Sequence, residues 1–294
     1  MRVKKLSPKE AALATLAYAD VFDYPLTRQE FSEWSLFFSR ISLGRTMNKK
    51  RGFIFLKGRE KLVDIRELRQ TWQDEKWEIA KHTAKWLSVF PTVQLVGVTG
   101  GLAMNNAKKE DDIDLFLVTA AGTIWITRFM VTIWLNILGL RRKPNEVNVT
   151  NKVCLNMFVA PRGLAVPVGE HDCFAAHEVL QMKPLWAQKG SYRKFLFANE
   201  WSKTYLPRAW GMRLTESVFE VSQTPVLVVW AFRIFDFPAK LIQIFYMQHN
   251  ITHEVVTDSV LRFHPFDARV WVKRKFAARL KVLKVPLDKV FYAR

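Results

Sequence analysis

The residues best suited to chemistry are two aspartates, Asp112 and Asp114, separated by one apolar residue. They lead into an apolar run, residues 115–118, that predicts a buried strand. Because alternate residues of a strand project from one face, the two carboxylates should lie side by side. Adjacent carboxylates repel each other unless a cation lies between them, and Mg²⁺ prefers oxygen ligands. The spacing therefore predicts a site for Mg²⁺ or Mn²⁺.

A glycine turn precedes the aspartates. Apolar residues 93–98 predict another buried strand, and Thr99, Gly100 and Gly101 follow it directly. Paired glycines let backbone amides approach an anion closely, since no Cβ intervenes. Residues 102–108 are expected to begin a helix whose N-terminal amides favour phosphate. The turn is therefore predicted to bind the phosphates of a nucleotide.

The order of turn and aspartates resembles a family signature. Thr99-Gly100-Gly101 followed, after ten residues, by Asp112-Ile113-Asp114 is similar to the signature of the DNA polymerase beta-like nucleotidyltransferase superfamily. The whole chain also resembles a bacterial group of nucleotidyltransferase-domain proteins with a winged-helix-like front segment. The resemblance implies that the glycines hold an NTP and that the aspartates are catalytic metal ligands. Transfer of NMP from the NTP to a hydroxyl of a small molecule, protein or RNA is the expected reaction.

The resemblance also implies a third carboxylate on a later strand. That strand is expected at residues 153–159, where the polar residue is Asn156. An amide oxygen can ligate a metal, but it is a far poorer base than a carboxylate. Asn156 is therefore predicted as a metal ligand, and the acid that completes the site stays open. The candidates are Glu110, Asp111, Glu146, Glu170, Asp172 and Glu178.

Two lysines, Lys108 and Lys109, lie between the glycine turn and the aspartates. Their position favours contact with phosphate, and a solvated surface is the alternative. Arg141, Arg142 and Lys143 could contact a triphosphate or cap a helix C-terminus, and the sequence does not decide between these roles.

The N-terminal segment resembles a winged helix. Capping boxes, each a Ser or Thr with a glutamate three residues on, begin at Ser7 and Thr27 and predict two helices. A basic loop, residues 48–52, leads into a short strand, residues 53–56. We assign residues 1–68 to this winged-helix-like domain.

The second predicted helix carries a buried stripe of four aromatic residues, Phe31, Trp34, Phe37 and Phe38. It offers few side chains that read base edges in a DNA groove. The N-terminal domain is therefore predicted to contact protein rather than a specific DNA sequence.

The rest of the chain completes an α+β fold. Residues 69–90 are predicted to form a helical connector, and residues 91–182 a small mixed-sheet nucleotidyltransferase core. Residues 183–294 are rich in aromatic residues at helical spacing and predict a C-terminal helical bundle with a basic tail. The apolar stripe of the last helix, Val272, Phe276, Leu280 and Leu283, is expected to dock on the bundle, although membrane or RNA contact is an alternative.

Composition limits the classes of protein. The 294 residues carry a net charge of +18, with 10 Lys or Arg against 2 Asp or Glu after residue 259, which favours nucleic acid, anionic lipid or nucleotide as partners. Two cysteines without metal-site spacing and an N-terminus without a signal-peptide pattern predict a cytoplasmic protein. The apolar stretches 123–140 and 226–247 contain charges and predict buried or interfacial helices rather than membrane spans.

Three functions follow from these features. A magnesium-dependent nucleotidyltransferase is favoured. A catalytically impaired nucleotide- or nucleic-acid-binding protein that keeps the fold is the first alternative. A peripheral membrane or assembly protein that uses the aromatic helices is the second.

Overall fold

The computed structural model describes residues 6–38, 46–248, 255–263 and 268–291. Helices and strands are mixed along the chain, so the predicted α+β class is confirmed. The strands in these ranges form a three-stranded and a seven-stranded sheet.

The N-terminal part forms a small sheet with two helices. Its elements are α1 (Pro8–Val21), β1 (Leu26–Thr27), α2 (Arg28–Glu33), β2 (Met47–Lys50) and β3 (Phe53–Leu56). Both predicted capping boxes are present, because Ser7 and Thr27 exchange hydrogen bonds with Glu10 and Glu30. The strands pair antiparallel in the order β1-β3-β2.

Two details of this part differ from prediction. The expected basic loop 48–52 is mostly strand β2, and only Arg51 and Gly52 form the turn. The second helix ends at Glu33 and does not reach Phe38. The amide of Leu36 donates to Thr15 Oγ1 (3.0 Å), and that of Phe37 donates to the Tyr205 carbonyl (3.1 Å). Tertiary contacts therefore use amides that a longer helix would need.

The predicted connector is two helices, α3 (Lys61–Gln70) and α4 (Gln73–Leu87). The Gln73 side chain donates to the carbonyls of Arg69 (2.8 Å) and Ala107 (2.9 Å), which ties the bend between the helices to the next part of the chain. The predicted boundary after residue 68 falls inside α3, two residues before that helix ends.

The remaining chain builds and covers the large sheet. Its elements are β4 (Val93–Val98), α5 (Gly100–Ala103), β5 (Ile113–Thr119), α6 (Ile124–Ile137), β6 (Val153–Val159), α7 (Cys173–Gln181), β7 (Lys183–Gln188), α8 (Ser191–Ala198), α9 (Pro207–Thr215), β8 (Glu220–Val221), α10 (Val226–Arg233), α11 (Asp236–Met247), β9 (Val255–Val256), β10 (Val260–Arg262), α12 (Ala268–Val282) and α13 (Asp288–Phe291). The strand order is β8-β7-β4-β5-β6-β10-β9. Parallel pairs β5/β6 and β7/β8 and antiparallel pairs elsewhere make the sheet mixed, as predicted.

The expectation of an all-helical region after residue 182 is wrong. Strands β7, β8, β9 and β10 lie there, and they belong to the large sheet. β7 pairs with β4 and β10 pairs with β6, so these two strands satisfy the backbone groups on the outer edges of the central strands. The central sheet is consequently larger than residues 91–182 alone could form.

Alternation along the strands divides the core between two faces of the large sheet. The front face carries Leu95, Phe116 and Val118 and packs against α1, α7 and α12. The back face carries Val96 and Leu117 and packs against α4, α6 and α11. The N-terminal helix thus shares one hydrophobic core with elements near the C-terminus.

The basic C-terminal helix docks through its apolar stripe. Val272, Phe276 and Leu280 of α12 are buried, and α12 packs on α1 and α7 rather than on a separate bundle. The apolar stretch 123–140 contains α6, whereas 226–247 is divided between α10 and α11. Across the described residues, none of the helices combines the length and apolar character needed to cross a bilayer.

Candidate active site

The two aspartates meet on the front face at the start of β5. One carboxylate oxygen each of Asp112 and Asp114, and the Sγ of Cys154, all lie within 4.8 Å of one another. Ile113 between them is buried in the core of the back face. The prediction that both carboxylates share a face is confirmed.

The glycine turn lies directly against this pair. The Thr99 amide donates to the Asp114 carbonyl (2.9 Å), which joins the end of β4 to the start of β5. Gly100 has a left-handed backbone (φ +65°), and a Cβ placed there would overlap Asp114 Oδ2 and lie 3.3 Å from its Cγ. Only glycine fits this position without strain. The predicted proximity of turn and carboxylates is therefore confirmed.

The helix after the turn is shorter than expected. α5 covers only Gly100–Ala103 and does not run from residue 102 to 108. Asn105 adopts a left-handed conformation (φ 51°), and the Asn106 side chain donates to the Phe22 carbonyl (2.9 Å) and accepts from Arg69 (2.7 Å). These contacts with the N-terminal part pull the chain out of the helix.

The loop between α5 and the aspartates is held by a buried lysine that the sequence analysis did not identify. Lys76 on α4 is 1% exposed, and its Nζ donates to the carbonyls of Asp111 (2.5 Å) and Lys109 (3.1 Å) and to Asn151 Oδ1 (2.9 Å). Burial lowers the pKa of this lysine. Gln73 and Ala80, one turn before and after it, are buried too, and this helical spacing was the available signal.

The lysines predicted to bind phosphate have other surroundings. The Lys109 ammonium lies 5.1 Å from the centre of the Trp72 ring, whereas the Lys108 side chain is exposed. The Lys108 amide donates to Asp111 Oδ2 (2.8 Å). Asp111 therefore shapes the loop, and contact of either lysine with phosphate stays a prediction.

Cys154 is a second residue that the sequence analysis missed. In the parallel pairing of β5 and β6 it lies opposite Asp114, and its Sγ lies within 4.8 Å of an oxygen of that carboxylate. Burial, followed by the charges of Asp114 and Asp112, raises the pKa of the thiol well above its usual value. The thiol is therefore neutral beside the aspartates.

Asn156 reaches the same region from β6. It is 7% exposed, and its Nδ2 donates to Thr99 Oγ1 over 3.5 Å. Its Oδ1 has no hydrogen-bond partner among the described residues. Cys154, and not Asn156, lies directly opposite Asp114, and the β5/β6 register shifts by one residue between Asp114 and Phe116. Metal ligation by Asn156 stays a prediction.

The charges of the site are only partly balanced. Burial first, then the charge of Asp112, raises the pKa of Asp114 well above its ordinary range. Arg142, from the basic segment after α6, donates to Asp112 Oδ2 (2.7 Å). The raised pKa shows that negative charge on Asp114 is unfavourable in this site. A further cation beside the two carboxylates would therefore stabilise it.

Among the candidate third acids, Glu178 is the one whose charge raises the pKa of Asp114. Solvent reaches Glu178 on α7, yet the protein around it raises its own pKa to about 7, opposed by Arg269.

Three other candidate acids have different roles. Glu170 pairs with Arg269 (2.7 Å), Asp172 caps α7, and Glu146 accepts from the Lys143 amide (2.8 Å). Each of these side chains is held by a hydrogen bond or an ion pair, and a part for any of them in catalysis stays a prediction.

Two cavities, of about 230 and 380 Å³, lie away from the aspartates.

Comparison of the chain with protein-family models, with curated proteins and with solved structures finds no match. The geometry of the site is thus the basis for assigning a function.

Proposed function

We propose that this protein is a divalent-metal-dependent nucleotidyltransferase that transfers NMP from an NTP to a hydroxyl acceptor. One observation carries the proposal: two carboxylates share a face and lie against a left-handed glycine turn. Carboxylates serve a metal, and exposed amides of a glycine turn serve phosphate oxygens. The resemblance to DNA polymerase beta-like nucleotidyltransferases combines the same two features.

The donors at the site fit Mg²⁺ or Mn²⁺. Asp112 and Asp114 supply hard oxygen ligands, and the unpartnered Oδ1 of Asn156 offers a third. The neutral thiol of Cys154 suits hydrogen bonding to Asp114 better than ligation of a hard cation. When bound, the metal would neutralise phosphate charge and activate the acceptor hydroxyl.

The protein groups account for the remaining steps. The amides at Gly100 and Gly101 would orient the β- and γ-phosphates, so that the α-phosphorus faces the acceptor. The acceptor oxygen forms a bond to the α-phosphorus, and the bond to the bridging oxygen breaks, so that pyrophosphate leaves. Glu178, with its pKa near 7, is our candidate to take the proton of the acceptor hydroxyl.

We also infer that the winged-helix-like segment serves contacts between proteins or within this chain rather than DNA reading. Glu33 and Ser32 of α2 bond to Arg213 (2.6 Å) and Arg208 (2.9 Å) of α9. These contacts with α9 occupy the C-terminal end of α2 and favour docking over insertion into a major groove. Nucleic acid contact through the exposed cations of α12 stays an expectation.

The test is incubation with each of four α-labelled NTPs and Mg²⁺ or Mn²⁺, with RNA, protein and small hydroxyl compounds offered as acceptors. Label on an acceptor together with released pyrophosphate supports the proposal. Asp112→Asn should abolish transfer, whereas Asp74→Asn, the same change on the exposed surface of α4, should leave it intact. Transfer that survives Asp112→Asn would overturn the assignment.

A nucleotide-binding protein without transfer is the second candidate, because β6 presents Cys154 and Asn156 in place of a third carboxylate. Calorimetry with a non-hydrolysable NTP separates the two. Tight metal-dependent binding without transfer to any acceptor would favour the second candidate.

A further inference from the structure

The back of the molecule has an exposed apolar surface on three helices. α10 has no buried residue, and α11 buries only Ala239, Gln243 and Met247. Large apolar side chains elsewhere on these helices and on α6 are exposed. We call this set the apolar face: Ile133, Trp134, Ile137, Val226, Leu227, Val228, Trp230, Ile234, Phe235, Phe237, Leu241, Ile242, Phe245 and Tyr246.

Exposure extends around much of each helix. On α10, Leu227 is 83% exposed and Trp230 is 57% exposed. On α11, Phe237 and Phe245 lie on one side and Tyr246 lies further around, and all three are exposed. Apolar patches of this extent mark contact surfaces. Because exposure spans so much of the circumference, a surrounding apolar medium covers these helices better than one flat partner.

The apolar face lacks exposed negative charge. In residues 124–137 and 226–247 the one acidic residue is Asp236. Its carboxylate is directed inward and accepts from the amides of Trp125 and Ile126, both at 2.9 Å. Nothing on these helices would therefore repel an anionic surface.

Cations border the apolar face at a cavity. The cavity of about 230 Å³ is lined by Lys194, Arg233 and Trp230, together with glutamine side chains from β4, β7 and the loop before α10. The Arg233 guanidinium lies 4.5 Å from the centre of the Trp230 ring. In the described part of the chain, neither Lys194 nor Arg233 forms an ion pair with a carboxylate. Two cations beside an aromatic ring suit a phosphate group at a membrane interface.

We propose that the apolar face docks on an anionic phospholipid membrane, with α10 and α11 lying in the interface and lipid phosphates at Lys194 and Arg233. Helices of this kind combine buried aromatic and aliphatic side chains with basic residues at headgroup level. The net charge of +18 favours an anionic surface and disfavours a second copy of the same chain.

Docking in this way leaves the carboxylate site accessible. α6 and α11 cover the back of the sheet, whereas Asp112 and Asp114 lie on its front. A membrane-bound molecule would therefore present the site to solvent or to an acceptor near the bilayer. The proposal does not depend on the nucleotidyltransferase activity.

Vesicle flotation of the full chain, without nucleotide, tests the proposal. The protein should float with vesicles of phosphatidylcholine mixed with phosphatidylglycerol, and far less with phosphatidylcholine alone. The double variant Leu227→Gln, Phe245→Gln should lower the bound fraction roughly tenfold or more, because it removes two apolar side chains from the interface. Leu68→Gln with Val89→Gln, two exposed positions on other elements, should have no effect.

A second pair of variants tests the cations. Lys194→Gln with Arg233→Gln should weaken binding to anionic vesicles, and salt should weaken the wild type more than this variant. Arg274→Gln with Lys275→Gln removes the same charge from α12 on the front side and should bind as the wild type does.

Three outcomes would overturn the proposal. The first is absence of binding to anionic vesicles, and the second is equal binding by the Leu227→Gln, Phe245→Gln variant. The third is a concentration-dependent dimer that this variant converts to monomer while vesicles fail to bind, which would assign the apolar face to a second copy.

Discussion

The two faces of the large sheet are built in opposite ways. The front face holds two half-buried carboxylates and a thiol, and its apolar core is covered by helices from both ends of the chain. The back face packs apolar residues inside and leaves more apolar residues outside on α6, α10 and α11. Holding polar groups on the front face lowers the free energy of unfolding. The back face leaves apolar surface exposed to water.

Each face of the sheet has a feature that is unfavourable in the isolated chain. Burying like charges together raises free energy unless a ligand compensates for it. Exposing large apolar side chains to water is likewise unfavourable in free energy, and a partner that covers them removes this penalty. Both features are unfavourable for the isolated chain, so each indicates binding.

The largest expected effect is that of Asp114→Asn. The variant should lower transfer by roughly 10³-fold, since several kcal/mol of transition-state stabilisation depend on a metal ligand. It should also raise the melting temperature in the absence of metal, because a buried carboxylate with a raised pKa becomes neutral. Activity assays and calorimetry measure the two changes. A fall in both activity and stability would show that the front face is not under this electrostatic strain.

The front face should also respond to pH through His177. Its ring is buried, stacked 3.7 Å from the Tyr18 ring, and burial lowers its pKa from 6.5 to about 4. The unfolded state therefore protonates this histidine first as pH falls, so His177 contributes a loss of stability of about 3 kcal/mol between about pH 6.5 and 4. Asp114 and Glu178, whose pKa values are raised, contribute in the opposite direction over the same range. Denaturant unfolding at several pH values measures this loss.

His177→Gln should remove this contribution and lose less stability than the wild type as pH falls, whereas His82→Gln, at an exposed position, should behave as the wild type does. Equal slopes for the wild type and His177→Gln would place the origin of the effect elsewhere on the front face.

Lys76 links the helices behind the sheet to the aspartate loop. Lys76→Met should cost about 2–3 kcal/mol in unfolding free energy, because three partly buried acceptors lose their charged donor. Transfer should fall as well, since the loop before Asp112 loosens. Lys81→Met, on the exposed side of α4, is the control and should change stability little. An unchanged free energy of unfolding in Lys76→Met would show that the hydrogen bonds of Lys76 do not stabilise the loop before Asp112.

The smallest expected effect is that of Gly100→Ala. A left-handed backbone and the overlap with Asp114 should cost about 1–2 kcal/mol and weaken NTP binding. Gly211→Ala, inside α9 with open space around it, should instead raise stability by up to about 1 kcal/mol. Denaturant unfolding and nucleotide titration of both variants measure the contrast. Destabilisation by both, to the same extent, would contradict the close fit of Gly100 and Asp114.

Local patterns predicted the strands and the aspartate pair well. The predicted strands at residues 93–98 and 153–159 match β4 and β6 end for end, since apolar runs between turn residues suffice to define them. Both capping boxes were predicted for the same reason. The spacing of Asp112 and Asp114 fixed their common face, because strand alternation is a property of the backbone.

Contacts distant in sequence were not predictable. Cys154 reached the aspartates through the parallel register of β5 and β6, which no local pattern specifies. The role of Lys76 depends on acceptors from two distant segments, the loop before Asp112 and Asn151, which only the fold brings together. Strands β8, β9 and β10 were missed because each has only two or three residues, too few to show an alternating pattern.

By itself, the sequence determined two carboxylates on one strand face, a glycine bend before them, and an excess of positive charge. Periodicity and residue chemistry act over a few residues, so these features do not depend on the rest of the fold. Tertiary structure alone decided that the bend lies against Asp114, that Glu178 lies near enough for its charge to act on Asp114, and that α10 and α11 stay uncovered. Each of these depends on which distant segments fill the remaining space, and packing settles that for the whole chain at once.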